Sequence, residues 1–550
     1  MDPQFKDRNM DVTDRVPVID LFAGPGGLGE GFSSFTRGNG EPPPFDVRLS
    51  IEKDAGAHST LRLRSFFRQF PQRGVPEQYY DSLRQADVPL NSRLEWLYGE
   101  FPEEAKAAES EAWLAELGKT DPKVVRERIR NAYADSENWV LLGGPPCQAY
   151  SLVGRSRNRG NEDYRAEKDH RQFLYLEYLQ VLADHSPAIF VMENVKGLLS
   201  ATVQNKRVFQ LIFEDLQEPS TALQREGREI HNQRRGRDGA KYRLFPIVAH
   251  GRPIDDFKLS DFVVKMERYG VPQARHRIIV LGVREDIADK LPRAMLFNSL
   301  KQKNSVSVRQ VLNGLPQLRS GLSKEPDAAE TWIKRICEGQ DTRWFKAQTS
   351  RDKAGEETFQ LLKSSMERLG CPQKDRGGEF VSCEVSIDYR SDWYIDSRIE
   401  GTFNHSTRGH IVKDLWRYIY AACFAEVHGR SPNLVDFPAD LLPKHKNVAE
   451  AMNGSQFSDR FRVQKYRGPS TTVTSHISKD GHYYIHPDPT QCRSLTVREA
   501  ARLQTFPDNY FFTGPRTSQY VQVGNAVPPL LAEQIAKLSH ELLTKSGVID

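Results

Sequence analysis

Residues 20–29 read Asp20-Leu21-Phe22-Ala23-Gly24-Pro25-Gly26-Gly27-Leu28-Gly29, and they close an apolar run at residues 17–22. A short buried strand that empties into a glycine-rich turn and then a helix is the opening move of an α/β fold. Glycines let backbone approach a ligand closely, and the first turn of a helix offers free N–H groups. Glu52 follows a second strand pattern in which Val47, Leu49 and Ile51 alternate with polar residues. An acid at that point can hydrogen-bond ribose hydroxyls. The two features favour a nucleoside-containing cofactor over a plain structural turn. They leave NAD and S-adenosylmethionine both open.

Outward from this turn, residues 139–142, 188–192 and 278–283 are further short apolar runs, separated by helical stretches such as 171–184. Runs of this kind predict strands buried on both faces of a mostly parallel sheet, in a doubly wound α/β domain. Residues 290–485 are less regular: helical stretches at 356–369 and 413–427 alternate with loops containing Gly and Pro. They predict a second, smaller domain. A helix at 497–504, a Phe506-Pro507-Asp508 turn and a last helix from Pro528 follow. The expected division is a tail at 1–15, a first domain at 16–290, a second at 291–510, and a segment at 511–550 that returns to the first.

A chain of 550 residues exceeds what one core needs. Hydrophobic residues at 38% and charged residues at 27% fit a globular protein, and a net charge of +4 says little about partners. No apolar run is long enough to span a bilayer, and the polar N-terminus lacks a signal-peptide core. A cytoplasmic location without membrane attachment is expected. None of the six cysteines stands in a CxxC pair, so no metal site is expected. Residues 225–243 carry Arg225, Arg228, Arg234, Arg235, Arg237, Lys241 and Arg243 among glycines. A solvated loop is the plainer reading, and an arm along a phosphate backbone the sharper one.

Three more segments sit at strand ends. Gly143-Gly144-Pro145-Pro146-Cys147-Gln148 places a cysteine on a stiff loop where open α/β sheets bind ligands. Met192-Glu193-Asn194-Val195 puts a carboxylate after a buried strand, where it is costly unless paired or functional. Gln273-Ala274-Arg275-His276-Arg277 holds two arginines that share a face if extended, able to grip a carbonyl oxygen or a phosphate. Each alone is ambiguous between a structural and a chemical role.

In this order the four segments resemble the DNA cytosine-C5 methyltransferases, of the bacterial modification type. Two C-terminal segments match as well: Arg493-Ser494-Leu495-Thr496-Val497-Arg498-Glu499 and Gln522-Val523-Gly524-Asn525-Ala526-Val527-Pro528. The resemblance implies that Cys147 is the nucleophile at cytosine C6, with Glu193 at N3 and the exocyclic amine. It places Arg277 at the O2 carbonyl and Arg275 near the base and its phosphate. It implies S-adenosylmethionine as cofactor, giving S-adenosylhomocysteine. Phe22, Ala23, Gly24, Pro25, Gly26 and Gly27 would surround its amino-acid end, Glu52 its ribose, and Leu174, Asn525 and Ala526 the rest of its pocket.

The implied partner is double-stranded DNA, whose target base must be flipped out. Gln148, Ser151, Arg155 and Arg157 would close on the DNA after Cys147, and Thr472 in Pro469-Ser470-Thr471-Thr472-Val473 would touch its backbone. Arg462, Lys465, Tyr466, Arg467, His476, Lys479, His482 and Tyr483 suit phosphate and base-edge contacts, or a solvated face. The acid the family carries near adenine has no clear counterpart, with Asp121 the nearest. A monomer, beside a cognate restriction or anti-phage system, is expected. The alternatives are a tRNA cytosine-C5 methyltransferase, a nicotinamide oxidoreductase and a catalytically silent DNA-binding protein. The tRNA branch carries Cys-Phe-Thr where this chain has Cys423-Phe424-Ala425.

Overall fold

The computed structural model describes residues 15–38, 41–70, 74–134, 136–146, 170–203, 206–231, 239–248, 257–291, 300–346, 353–443, 448 and 459–549. Strand β1 (Val16–Leu21) is buried along its whole length and is the hub of the main sheet. It pairs in parallel with β2 (Phe45–Glu52) on one side and β4 (Val140–Gly143) on the other. β3 (Ala112–Leu114) extends the sheet beyond β2, and β5 (Ile189–Val195) extends it beyond β4, again in parallel. The strand order reverses at β1, so a crevice opens beyond the C-terminal ends of β1 and β4.

The predicted run at 278–283 belongs to the strand His276–Arg284, which lies antiparallel to β5. Tyr242–Pro246 and Val263–Lys265 pair antiparallel with it in turn. An apolar run encodes burial on both faces but not direction, so this reversal was not readable. It is what brings the start of His276–Arg284 to the end of β5.

Helix α1 (Gly27–Ser34) and the last helix, Pro529–Lys545, cover one face of the sheet in a shared core with Val18, Val140 and Ile279. Their close approach needs glycine. A Cβ on Gly27 would lie 2.2 Å from the Val527 carbonyl oxygen, and one on Gly31 would lie 2.3 Å from the Ala532 Cβ. The other face is covered by Pro122–Tyr133, His170–His185 and Val208–Gln217. A separate core gathers residues between Leu322 and Cys492 around the helix Val412–His428. The helix Val497–Leu503 packs into neither. It shares a core with Val308, Val473, Tyr520 and Leu530, bridging the expected boundary at 510.

The interval between Glu52 and Gly143 is largely helical. After α2 (Ala55–Arg68), three helices at Glu77–Arg84, Leu90–Glu100 and Pro102–Glu111 precede β3. They brace the hairpin of Gly377–Ser382 with Gly401–Ser406: Arg93 pairs with Glu379, and Tyr80 donates to Asp396 at 2.7 Å. Within the basic segment, Arg225, Arg228, Lys241 and Arg243 each pair with a carboxylate, on Asp215, Glu177, Glu218 and Asp289. Those four form a solvated, ion-paired face. Arg234, Arg235 and Arg237 lie outside the described residues.

The Val497–Leu503 helix carries the costliest charges. Thr496 caps it in a box with Glu499, and Glu499 is gripped by Arg493 through two contacts of 2.7 Å. Arg502 is fully buried; it donates to Asp508 at 3.0 and 2.7 Å and to the Val311 carbonyl at 2.9 Å. Removing one member of a buried, hydrogen-bonded pair leaves the other unpaired, at about 3–5 kcal/mol. Arg502→Ala should lower the unfolding free energy by about that amount in denaturant titration. Arg225→Ala, at an exposed pair, should cost about 1 kcal/mol or less.

Candidate active site

β4 ends at Gly143, and the chain turns through Gly144, Pro145 and Pro146. A Cβ on Gly144 would sit 3.4 Å from Glu193 Oε2, so this turn passes against the Glu193 carboxylate. Asn194 Nδ2 donates to the Pro145 carbonyl at 2.9 Å. The Glu-Asn-Val segment at the end of β5 therefore holds the turn two residues before Cys147. Cys147, Gln148, Ser151, Arg155 and Arg157 lie outside the described residues.

Ile279 stands opposite Glu193 across the antiparallel pair, and Arg277 lies two residues earlier on the same face. That diagonal is within reach of a long side chain. Arg277 Nε comes within 3.1 Å of Glu193 Oε1, and Nη1 donates to the His276 carbonyl at 2.9 Å. Both side chains remain partly open, at 15% and 14% exposure, so the pair faces the crevice rather than the core.

Arg275 is placed differently from its expectation. The strand breaks between Ala274 and His276, and the Arg275 side chain turns inward to 2% exposure. Its Nη1 donates to the carbonyls of Val473 at 2.8 Å and Gly524 at 3.2 Å. Burial, with Arg277 alongside, pushes its guanidinium down to about 9. It holds three segments together instead of facing the base and phosphate. Thr472 is also committed: its hydroxyl proton goes to the Ala274 carbonyl at 2.6 Å, which removes it from a phosphate.

The glycine turn sits as expected at the end of β1. Phe22 and Gly24 have positive φ, at 58° for each, and Gly26 has φ 97°. Nothing lies within 4 Å of where a Cβ on Gly24 would stand, so the turn presents open space to a ligand. Glu52 braces it from the end of β2. Its Oε2 accepts from Gly24 N–H at 2.8 Å, and its Oε1 from the N–H groups of Lys53 and Asp54 at 2.8 and 2.7 Å. Tyr510 OH donates to the Pro25 carbonyl, Ala23 is buried, and Ala23 N–H donates to Ile51. Leu174 is buried in His170–His185. Asn525 is exposed at the end of Arg516–Asn525, and the Ala526 carbonyl accepts from Gln504 at 2.8 Å.

Asp121 caps Pro122–Tyr133, accepting from Lys123 N–H at 2.9 Å. Another acid, Glu116, stands two residues beyond β3, with Ala115 N–H donating to the Glu52 carbonyl at 3.0 Å and Lys53 Nζ 3.4 Å from its carboxylate. The readable signal was an acid two residues beyond the short Ala112-Trp113-Leu114 strand. The buried amides Gln273, Gln464 and Gln504 were missed, since a glutamine carries no sequence mark of burial. Among the described residues no cluster of three or more His, Cys, Asp or Glu could hold a metal ion, and no helix is long and apolar enough to cross a membrane.

A family profile described as C-5 cytosine-specific DNA methylase matches residues 118–219 and 254–540. The chain is 30% identical to the type II methyltransferase M.Bpa9945I of Bacillus paralicheniformis, over 96% of this chain and 99% of that one. It is 24% identical to the type II methyltransferase M.AgeI of Thalassovita gelatinovora, over 94% and 98%. It is 28% identical to the DNA (cytosine-5-)-methyltransferase M.ApeKI of Aeropyrum pernix, over 74% and 81%.

Beneath the glycine turn, Asp20 is buried at 1% exposure. Burial pushes its carboxyl from 3.8 up to about 7, with Gly29 N–H and Arg68 opposing. The folded chain therefore holds a proton there that the unfolded chain has lost, and stability falls as pH rises from 3.8 to about 7. Asp20→Asn should remove that slope. In thermal melts across this window, the variant should gain on the parent as pH rises and match it most closely at the acid end.

Proposed function

Because the chain belongs to the C-5 cytosine-specific DNA methylase family, we propose that it methylates cytosine C5 at one short site in double-stranded DNA, as a monomer that marks host DNA beside a restriction or other anti-phage system. The observation that carries this reading is the Glu193–Arg277 pair facing the Gly144 turn that leads into Cys147. The type II designations of the relatives support the modification role.

Cytosine C5 is a weak nucleophile inside an aromatic ring. Attack of the Cys147 thiolate on C6 forms a carbon–sulfur bond, breaks the aromaticity and makes C5 enamine-like. Glu193 bonds N3 and the exocyclic amine and gives N3 a proton, which spreads the charge of attack. Arg277 is ion-paired with Glu193 and donates Nη1 to the His276 carbonyl, and its Nη2 is the donor for the O2 carbonyl. S-adenosylmethionine, when bound, supplies the electrophilic methyl group and leaves as S-adenosylhomocysteine. A water then takes the C5 proton, the carbon–sulfur bond breaks to restore the Cys147 thiolate, and N3 returns its proton to Glu193.

The base reaches this crevice only when flipped out of the duplex. Gln148, Ser151, Arg155 and Arg157, which follow Cys147 in the sequence, are assigned to contacts with the DNA around that base. Residues 22–27, Glu52, Leu174, Asn525 and Ala526 hold the cofactor. Glu116, at the end of β3, takes the adenine-side place that Asp121 does not fill. The residues between about 291 and 510 read the DNA sequence.

Base-resolution sequencing of DNA from a methylation-free host is the direct test. Wild type should mark cytosine in one motif, and Cys147→Ala should mark none. Methylation by Cys147→Ala, or its absence with soluble wild type, sinks the reading. Calorimetry separates the two acids. Glu116→Gln should weaken S-adenosylmethionine binding severalfold, while Asp121→Ala should leave it unchanged and cost stability of about 1 kcal/mol through the lost cap.

A further inference from the structure

Eight residues between 462 and 483 suit DNA contact by type, and the structure sorts them. Arg462 pairs with Asp459 and lies over the Tyr483 ring at 5.2 Å. Lys465 donates to the Gly429 carbonyl at 2.7 Å, and Tyr466 lies beneath Arg309 at 4.4 Å. His482 is tied to the Tyr418 hydroxyl at 2.7 Å. Of these, His482 lines a cleft of about 420 Å³, together with Arg417, Arg460, His476, Asp480 and Tyr483.

Arg417 is spent on this cleft's frame, donating to the Leu441 carbonyl at 2.5 Å and to Asp414 at 2.6 Å. Arg460 is not. Its side chain is half-buried at the lining, and among the described residues it has no ion pair or hydrogen bond. A guanidinium held at a cleft of fixed walls with all its donors free is prepared for an acceptor from outside. His476 is exposed beside it, its ring set edge-on to Tyr483 at 5.5 Å.

The cleft is in fixed register with the base site. Arg462 N–H donates to the His482 carbonyl and Gln464 N–H to Ile485, which lays 462–464 beside 482–485. Gln464 Oε1 accepts from Thr471 N–H at 2.9 Å. Thr471 pairs with Ala274 in the short bridge that leads into Arg275 and Arg277. Each link is a directed backbone or side-chain bond, so the stretch that follows Arg460 is held in one register with the segment of Arg275 and Arg277.

Resting on the DNA methyl-transfer reading above, we propose that Arg460 reads a guanine of the recognised site, other than the one paired with the target cytosine, by a forked contact to O6 and N7 in the major groove. Two parallel acceptors on one base edge match the guanidinium fork, and no other base edge offers that pair. Asp480, on the same cleft, is the acceptor for the amine of the cytosine paired with that guanine.

The test takes the motif found with wild type and a set of duplexes in which each base pair beside the target is changed singly. Methylation rates give the discrimination at each position. Arg460→Ala should lose discrimination against substitution of one guanine by roughly tenfold or more, and keep it elsewhere. Arg460→Lys keeps the charge and stem but not the fork, and should lose the same discrimination if the alanine variant folds poorly. The salt dependence of DNA binding should be unchanged in both. A motif without such a guanine, or unchanged discrimination in Arg460→Lys, overturns the proposal. So does a weaker salt dependence with discrimination intact, which marks a phosphate contact. No methylation by wild type overturns the methyl-transfer reading itself, and this inference with it.

Discussion

The molecule turns on a buried guanidinium. Arg275 is 2% exposed and donates to carbonyls from two distant segments, at Val473 and Gly524. Beside it Gln273 accepts from Val473 N–H at 2.7 Å and donates to the Leu503 carbonyl at 3.2 Å, and Gln504 donates to Val523 and Ala526. Burying such groups is costly unless each finds its partner. An apolar contact tolerates sliding, whereas these bonds are met in one arrangement only. Four segments that lie up to 250 residues apart in the chain are thus fixed relative to Glu193 and Arg277. The crevice inherits its shape from this knot.

The cofactor side is closed by a different kind of constraint. α1 and Pro529–Lys545 approach so closely that Gly27 and Gly31 have no room for a side chain. Val527, Ala526 and Asn525 are therefore carried to the glycine turn by helix packing, while Tyr510 reaches the same turn through the Pro25 carbonyl. Below it, Arg64 and Arg68 of α2 neutralise the buried Glu30 and Glu111. The helix that follows the turn thus stands on a layer of buried, paired charges.

Much of this was legible from residue order. β1, β2, β4 and β5 announced themselves as short apolar runs, and Glu52, Cys147 and Glu193 each follow such a run. Position at a strand end is a local property, and local properties survive in sequence. Direction does not, so the antiparallel set of His276–Arg284 was invisible. Nor does the inward turn of Arg275, because alternation places it beside Arg277 only if the strand continues, and it breaks at that residue. The proposed adenine-side acid, Glu116, leaves little trace in the sequence, because three extra helices separate α2 from β3 and a two-residue offset from a strand of three residues is a faint mark. Asp121, before a proline, was the more conspicuous acid for an ordinary reason: it starts a helix.

The three extra helices share a core with Ile399 and Phe403 of the 291–510 stretch. Arg93 pairs with Glu379 of the Gly377–Ser382 strand, and Tyr80 and Arg84 donate to Asp396 and the Ile399 carbonyl in the connection to its partner strand. The base site is reached instead through Gln464, Thr471 and the short bridge to Ala274. One attachment supports the second core and the other sets its register. Residues that only line the cleft, such as Arg460 and His476, belong to neither attachment. On the proposed role for Arg460, the choice of sequence is separable from methyl transfer, since no hydrogen bond or ion pair among the described residues joins Arg460 or His476 to Arg275, Glu193 or Arg277.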